Sequence, residues 1–154
     1  GGHCLAAGIT INAENIDDFS KSINQYANAV ISDDDFIPSV YIDADIGEGD
    51  MNFQSVQDLS LLEPFGIGNP TPVFAYKNAQ IRSVTQMSEG RHMKITVKKG
   101  GVTTEALGFN LGHLAQHYII NDIVDIAGTI DINCYRGYKS IKFIIKDITK
   151  STGR

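Results

Sequence analysis

The stretch His92-Met93-Lys94-Ile95-Thr96-Val97-Lys98 decides the fold of this chain. Its apolar side chains alternate strictly with polar ones, and this period of two predicts a β-strand with one face in a core and the other in water. The water-facing side carries a histidine, a threonine and two lysines. The sequence therefore predicts a strand whose exposed face is basic.

Four further strand-like runs and one helical run lie on either side of this stretch. They lie at 73–85, 102–109, 111–119 (the helical run), 123–135 and 139–148. Turn signals such as Ser88-Glu89-Gly90 separate the strands. Three strands, a helix and two strands is the order of the OB-fold, a five-stranded Greek-key barrel that binds oligonucleotides and oligosaccharides. We therefore expect an all-β OB barrel over residues 73–154.

Residues 1–62 have a different, α+β pattern. We expect a buried strand at 6–11, an amphipathic helix at 16–31, a second strand at 39–44 and a second helix at 53–62. Such a piece is thin for an independent core, so we expect it to be part of a larger domain.

Residues 63–72 separate the two patterns. They hold three of the four prolines of the chain together with two glycines, a density that continues neither a helix nor a central strand. We place the domain boundary in this segment. The alternative is a long surface loop inside one domain.

Composition limits the class of protein. The chain has 154 residues, of which 42% are apolar, which suits one ordinary globular domain or two small ones. No run approaches the roughly 18 apolar residues of a membrane span, and no signal-peptide pattern opens the chain. Cys4 and Cys134 match neither a disulfide framework nor a zinc spacing, so we expect a cytoplasmic protein.

The charged residues are distributed unevenly between the two parts of the chain. The formal net charge is -5, but residues 1–80 hold two basic and twelve acidic side chains, whereas residues 81–154 hold eleven basic and six acidic ones. This asymmetry favours two modules with different partners.

The basic half contains the candidate nucleic-acid contacts. OB-folds bind single strands across strands two and three, with cations for phosphates and aromatic rings for bases. The candidates are Arg91, His92, Lys94, Lys98, Tyr135, Arg136, Tyr138, Lys139 and Lys142. Each lysine alone is also compatible with a merely solvated face. Their clustering on the second strand and the last hairpin favours a nucleic-acid strand.

Gly1, Gly2 and His3 form a second candidate site. Paired glycines let backbone amides approach a phosphate closely, and an imidazole can donate to a phosphate oxygen. Two alternatives are a cloning remnant and an adventitious square-planar copper or nickel site.

Other potential metal or catalytic patterns fail on spacing. The acidic run 43–50 lacks the glycine and the bidentate glutamate of a calcium loop. His113 and His117 lie one helical turn apart without a third ligand. No Ser-His-Asp set, Walker loop or dinucleotide fingerprint occurs. We expect no metal site and no catalytic residue in this chain.

Three motifs carry a resemblance to a known family. Gly-Gly-His-Cys-Leu-Ala-Ala-Gly at 1–8 resembles the glycine motif of DHHA1 domains. Leu62-Glu-Pro-Phe-Gly-Ile-Gly-Asn-Pro-Thr-Pro-Val-Phe74 resembles the linker motif of the RecJ family, the single-stranded-DNA-specific exonucleases. Gly90-Arg-His-Met-Lys94, Gly108-Phe109 and the stretch 132–148 resemble the RecJ OB domain.

The resemblance implies a domain order and a parent activity. Residues 1–62 would be the end of a DHHA1 domain, 63–72 a linker and 73–154 the OB domain. The parent enzyme would act in DNA repair and recombination, and a DHH domain with two manganese or magnesium ions would hydrolyse single-stranded DNA from its 5′ end. No Asp-His-His occurs in this sequence, so we expect the fragment alone to be inactive.

The resemblance also implies roles for the candidate residues. Gly1, Gly2 and His3 would contact substrate phosphate, and the OB residues would hold the incoming strand. Arg136 and Lys142 replace an asparagine and a glutamine that are frequent in the family, and both replacements add positive charge. Single-stranded DNA is the expected partner, with other DNA-repair proteins possible and no membrane.

Two alternatives remain open. The chain could be an autonomous single-strand-binding module that recruits a partner enzyme, or part of a DHH-type phosphodiesterase of short oligonucleotides. The basic OB half and the proline-rich linker speak against the phosphodiesterase.

Overall fold

A computed structural model describes residues 1–135 and 137–152, and it leaves the side chain of Tyr135 undescribed. The chain forms two compact units, Gly1–Ser39 and a unit that begins at Val40. No helix in the described ranges is long and apolar enough to cross a membrane.

The first unit contains a small hairpin and one amphipathic helix. Strand β1 (Gly2–His3) pairs antiparallel with β2 (Ala6–Ala7), and helix α1 (Ile16–Val30) follows. The predicted helix is thus present, but the strand predicted at 6–11 has only two residues, and both are exposed. The apolar stripe of α1 is also open to solvent within this unit.

The second unit is built around a barrel. Strand β3 (Ala44–Asp45) and helix α2 (Phe53–Asp58) precede five long strands. These are β4 (Phe74–Met87), β5 (His92–Lys99), β6 (Val102–Gly108), β7 (Ile123–Tyr135) and β8 (Tyr138–Lys150). Each agrees with a predicted strand to within two residues. The predicted order of strands and helix is confirmed.

Two long-range pairings close the barrel. Strand β6 pairs parallel with β8 through Glu105 and Lys142, and β7 pairs antiparallel with β4 from Phe74 to Gln80. The neighbour order of the long strands is therefore β4-β5-β6-β8-β7, with β7 returning to β4. Because the ring of strands is closed, alternate side chains of every strand point into one interior.

That interior is the core of the unit. The largest fully buried side chains are Tyr76, Phe143, Ile81, Met93, Ile95, Ile126, Val97 and Val124. Met93, Ile95 and Val97 are at most 1% exposed, which confirms the orientation predicted for β5 from its alternation.

A helical segment covers one end of the barrel. It is a 3-10 helix, Gly112–His117, where the sequence predicted a helix over 111–119. Gly112 donates its N–H to Arg91 O at 3.0 Å and accepts at its carbonyl from Gln86 Nε2 at 2.8 Å. These bonds fix the start of the segment against the β4–β5 turn.

The opposite end of β5 is covered by the segment before the barrel. Glu48 Oε2 accepts from Gly101 N at 3.0 Å, in the β5–β6 turn. Lys99 Nζ lies 4.9 Å from the centre of the Tyr76 ring. Burial raises the pKa of the Tyr76 hydroxyl, and the Glu48 carboxylate raises it further.

The unit boundary precedes the predicted linker at 63–72. Asp43 donates its N–H to Val73 O at 2.8 Å and accepts from Val73 N at 2.8 Å, while Ile46 N donates to Ala75 O at 2.9 Å. The strand predicted at 39–44 is wrong for all but its last residue, because only Ala44–Asp45 (β3) pairs with β4. Met51 enters the barrel core. These contacts make the segment from Val40 part of the barrel unit.

Residues 63–72 form an ordered loop within this unit. The Asn69 amide nitrogen donates to Leu62 O at 2.7 Å and to Pro64 O at 3.1 Å. Gly66 and Asn69 also exchange backbone hydrogen bonds. The helix predicted at 53–62 ends as expected before Pro64, as α2 followed by a 3-10 turn, Leu59–Leu62.

Closure of the barrel depends on a close approach at Gly128, and this predicts a stability difference. A Cβ at Gly128 would overlap Ile144 O and lie 2.6 Å from Phe143 Cε1, whereas no described atom lies within 4 Å of a Cβ at Gly101. We expect Gly128→Ala to lower the free energy of unfolding by about 1–3 kcal/mol through overpacking. Gly101→Ala is the control and should change it little. Urea unfolding of both variants measures the difference, and equal midpoints would contradict the account.

Candidate nucleic-acid interface

The outer surface of three neighbouring strands brings most of the predicted contacts together. Because alternate residues of β5, β6 and β8 are buried, the residues between them face outward. We call this surface the outer face. It consists of Lys94, Thr96, Lys98, Thr103, Glu105, Leu107, Ser140, Lys142 and Ile144.

Strand pairing sets the spacing on the outer face. Thr96 of β5 is in register with Glu105 of β6, which is in register with Lys142 of β8. Neighbouring strands lie about 4.8 Å apart, so about 10 Å separates β5 from β8 across the outer face. Leu107 and Ile144 form an apolar pair one step further along.

The outer face is mixed in charge rather than uniformly basic. Lys94 Nζ forms an ion pair with the Glu105 carboxylate. Lys142 stands opposite Asp131 of β7, and its Nζ lies 3.4 Å from Asn133 Oδ1. Lys98 is exposed and stands opposite Thr103. The exposed face of β5 is basic, but strand pairing places the Glu105 carboxylate beside Lys94 and the Asp131 carboxylate opposite Lys142 of β8.

A second group of candidates lies at the β4–β5 turn. Arg91 is exposed, and its Nε donates to Ser88 O at 3.3 Å. His92 Nδ1 accepts from Asn110 N at 3.0 Å. The His92 ring stands edge-on to Phe109, with 5.4 Å between the ring centres.

Phe109 is a candidate that the sequence reasoning missed. It follows the last residue of β6 and is 52% exposed, so its ring offers a free surface beside Arg91 and His92. The available signal in the sequence was one aromatic residue that follows Gly108 at the end of a predicted strand. The strand predicted at 102–109 includes Phe109 as its last residue, and that prediction does not assign its ring to the surface.

The β7–β8 hairpin divides the remaining candidates. Tyr138 is 83% exposed and shares its side of the hairpin with Lys142. Lys139 pairs with Cys134 and points to the other side. The Tyr135 backbone pairs with Tyr138, but its side chain and Arg136 lie outside the described residues.

Gly1, Gly2 and His3 lie in the first unit. Gly2 and His3 form β1, and Gly8 N donates to Gly1 O at 2.9 Å, which closes the small hairpin. All three residues are exposed. Their backbone is therefore accessible to a ligand.

The acidic run 43–50 is occupied by hydrogen bonds within the protein. Asp45 pairs with Lys77 at 2.7 Å, and Asp50 Oδ2 accepts from Gly47 N at 2.8 Å. The Asp43 and Glu48 carboxylates accept from backbone amides, as described above. Across residues 1–135 and 137–152, no three His, Cys, Asp or Glu side chains form a group that could hold a metal ion.

A cleft of about 390 Å³ lies beside the outer face, between α2 with the loop after it and strand β7. Its walls include Phe65, Pro72 and Ile130, and its charged lining residues are Glu63 and Asp131. In the described part of the chain neither Lys nor Arg lines it. This cleft does not suit a phosphate group, which leaves the outer face as the candidate phosphate path.

A closed barrel of five strands with a helical segment between the third and fourth is an OB-fold. The family model described as the RecJ OB domain matches residues 42–147, and the chain belongs to that family.

Several curated proteins and solved structures are similar to the chain. The single-stranded-DNA-specific exonuclease RecJ of Bacillus subtilis is 31% identical over 152 residues, covering 98% of this chain and 19% of that protein. The RecJ of Thermus thermophilus is 29% identical over 150 residues, covering 97% and 21%. The crystal structure of Thermus thermophilus RecJ with Mn²⁺ matches with a TM-score of 0.79 and 26% identity, covering 99% and 22%. The chain thus spans about a fifth of each of these proteins.

The hydrogen bond at His92 predicts its tautomer. Because Nδ1 accepts from Asn110 N, the neutral ring carries its proton on Nε2. Long-range ¹H–¹⁵N NMR spectra at about pH 8, where an ordinary histidine is neutral, should show the Nε2–H form. The spectra of the exposed His113 and His117 serve as the reference for the tautomer of His92. An Nδ1–H form of His92 would contradict this geometry.

Proposed function

We propose that this chain is the strand-binding, carboxy-terminal part of a 5′ to 3′ single-stranded-DNA exonuclease that acts in DNA repair and recombination. The observation that carries the proposal is the outer face of a RecJ OB domain, with lysines on two of its three strands and exposed rings near its ends. Phosphates require cations, and unpaired bases require flat apolar surfaces.

Each end of the outer face offers one exposed aromatic ring. Phe109 lies at the β4–β5 end, beside Arg91 and His92. Tyr138 lies at the β7–β8 end, on the side of Lys142. A single strand crossing β5, β6 and β8 would stack bases on these rings and place phosphates near Arg91, Lys98 and Lys142. Lys139, on the other side of the hairpin, would make no direct contact and would contribute only to the positive electrostatic potential around the strand.

The mixed charge of the outer face favours weak binding. The Lys94–Glu105 pair neutralises one cation at the centre, so fewer phosphates are neutralised than in a uniformly basic groove. Weak contacts suit an exonuclease, because the strand must advance after each nucleotide is removed.

The chemistry of the proposed enzyme lies in other segments of the longer protein. The described residues supply no metal-ion group, whereas the Thermus RecJ structures hold Mn²⁺ or Mg²⁺. Bound Mn²⁺ or Mg²⁺ would activate water for phosphodiester hydrolysis. Gly1, Gly2 and His3 would contact a substrate phosphate, in keeping with their exposed backbone. The location would be cytoplasmic, with other DNA-repair proteins as further partners.

Binding and cleavage assays on the 154-residue chain test the proposal. We expect it to bind a labelled single-stranded oligonucleotide, to prefer it over duplex of the same length, and to lose affinity as salt rises. With Mn²⁺ added it should release no nucleotides. Equal or tighter binding of duplex, or cleavage by the purified chain, would contradict the proposal.

Lys98 and Lys142 are the outer-face lysines that form no carboxylate ion pair among the described residues, and they predict a salt effect. Lys98→Gln and Lys142→Gln should each weaken single-strand binding and lower the slope of log affinity against log salt by about 0.7. Lys21→Gln makes the same charge change on α1, outside the barrel unit, and should leave the slope unchanged. Fluorescence anisotropy over a salt series measures all three. An equal loss in Lys21→Gln would show that only net charge matters.

The exposed ring of Tyr138 predicts a stacking contribution. Tyr138→Ala should weaken binding by about 1–3 kcal/mol, the usual contribution of one base–aromatic stack. Tyr41→Ala is the matched control, because Tyr41 is 87% exposed in the same unit. Both variants should unfold at the wild-type temperature. Unchanged affinity of Tyr138→Ala would remove this ring from the interface.

A further inference from the structure

Glu105 occupies the centre of the outer face. It lies on the middle strand, β6, in register with Thr96 on one side and Lys142 on the other. Its side chain is 52% exposed. A strand that crosses the three strands must therefore pass over this carboxylate.

The ion pair with Lys94 leaves part of the carboxylate free. Lys94 Nζ contacts Glu105 Oε1. Within the described ranges, the second oxygen, Oε2, has no hydrogen-bond partner. Lys94 is the less exposed partner, at 35%, so it acts as a positioning residue that fixes the direction of the carboxylate.

A carboxylate at this position repels phosphate and attracts hydrogen-bond donors. The phosphates of a bound strand would therefore contact the basic side chains on either side of Glu105, and the bases would face its carboxylate. The neighbouring Leu107 and Ile144 offer the apolar surface that a base needs. Of the groups on an unpaired base, only N–H donors make a favourable contact with a carboxylate.

We infer that Glu105 makes the outer face selective for bases with an exocyclic amino group. Cytosine offers its N4 amino group to a carboxylate, and the C5 side of that group carries no acceptor. Uracil and thymine present a carbonyl oxygen at the same place and hold their one donor, N3–H, between two carbonyl oxygens that a carboxylate repels. This inference rests on the proposed function, since it assigns base selectivity to the same surface.

Two oligonucleotides that differ only in this group provide the test. Oligo-dC and oligo-dU of equal length differ at position 4 of the base and in the proton on N3. We expect the 154-residue chain to bind oligo-dC about three- to tenfold more tightly than oligo-dU, the net effect of one ordinary hydrogen bond. The effect of a bond to a buried charged acceptor would be larger, but the Glu105 side chain is half exposed. Fluorescence anisotropy at constant salt measures both.

A pair of charge-matched variants separates selectivity from general electrostatics. In Glu105→Gln, the amide can donate to the uracil carbonyl, so oligo-dU should bind more tightly and the ratio should fall below about twofold. Glu89→Gln removes the same charge from the exposed β4–β5 turn. It should raise both affinities equally and keep the wild-type ratio.

The outcomes distinguish this inference from the proposed function. Binding of both oligonucleotides with equal affinity, or an unchanged ratio in Glu105→Gln, would overturn the selectivity and leave the strand-binding role intact. Failure of the wild-type chain to bind either oligonucleotide would overturn the proposed function and the selectivity with it.

Discussion

The parallel pairing of β6 with β8 is the constraint on which the interface depends. It joins residues near Glu105 to residues near Lys142, and together with the β4–β7 pairing it closes the barrel. Closure gives the core a single interior and fixes which side chains remain outside. Gly128 permits the close approach of β7 and β8 at the point where β7 also meets β4. Without this closure the lysines of β5 and β8 would not share a surface.

The sequence predicted the strands, their order and the inner side of β5, because alternation within one strand is a local property. It did not predict which residues of different strands stand side by side. The Lys94–Glu105 pair follows from the register of β5 against β6, which neither strand encodes alone. Lys139 was grouped with Tyr138 by proximity in the chain, although two neighbours in a strand point to opposite sides.

The segment from Val40 to Leu62 shows a second limit of local patterns. The pattern predicts the start and end of its helix, but it misplaces the short strand and does not show which core the segment joins. Hydrogen bonds of Asp43 to Val73 and of Ile46 to Ala75 of β4, and the buried side chain of Met51, attach the segment to the barrel. Each of these contacts spans 20 or more residues, so no window of local sequence contains both partners.

The outer face combines an apolar pair, exposed rings and a balance of charges. This composition differs from a purely electrostatic groove, in which affinity would rise with every lysine. In the proposed interface, the central carboxylate would separate the path of the phosphates from the position of the bases. Affinity and base selectivity would then come from different side chains of one surface.

The most direct measurement of the central claim is an NMR map of the strand-binding surface. ¹H–¹⁵N spectra of the chain, recorded with increasing amounts of a short single-stranded oligonucleotide, report which backbone amides change. The account predicts changes confined to residues 91–98, 103–109 and 138–144. Changes centred on α1, or on the cleft between α2 and β7, with the outer face unaffected, would contradict it.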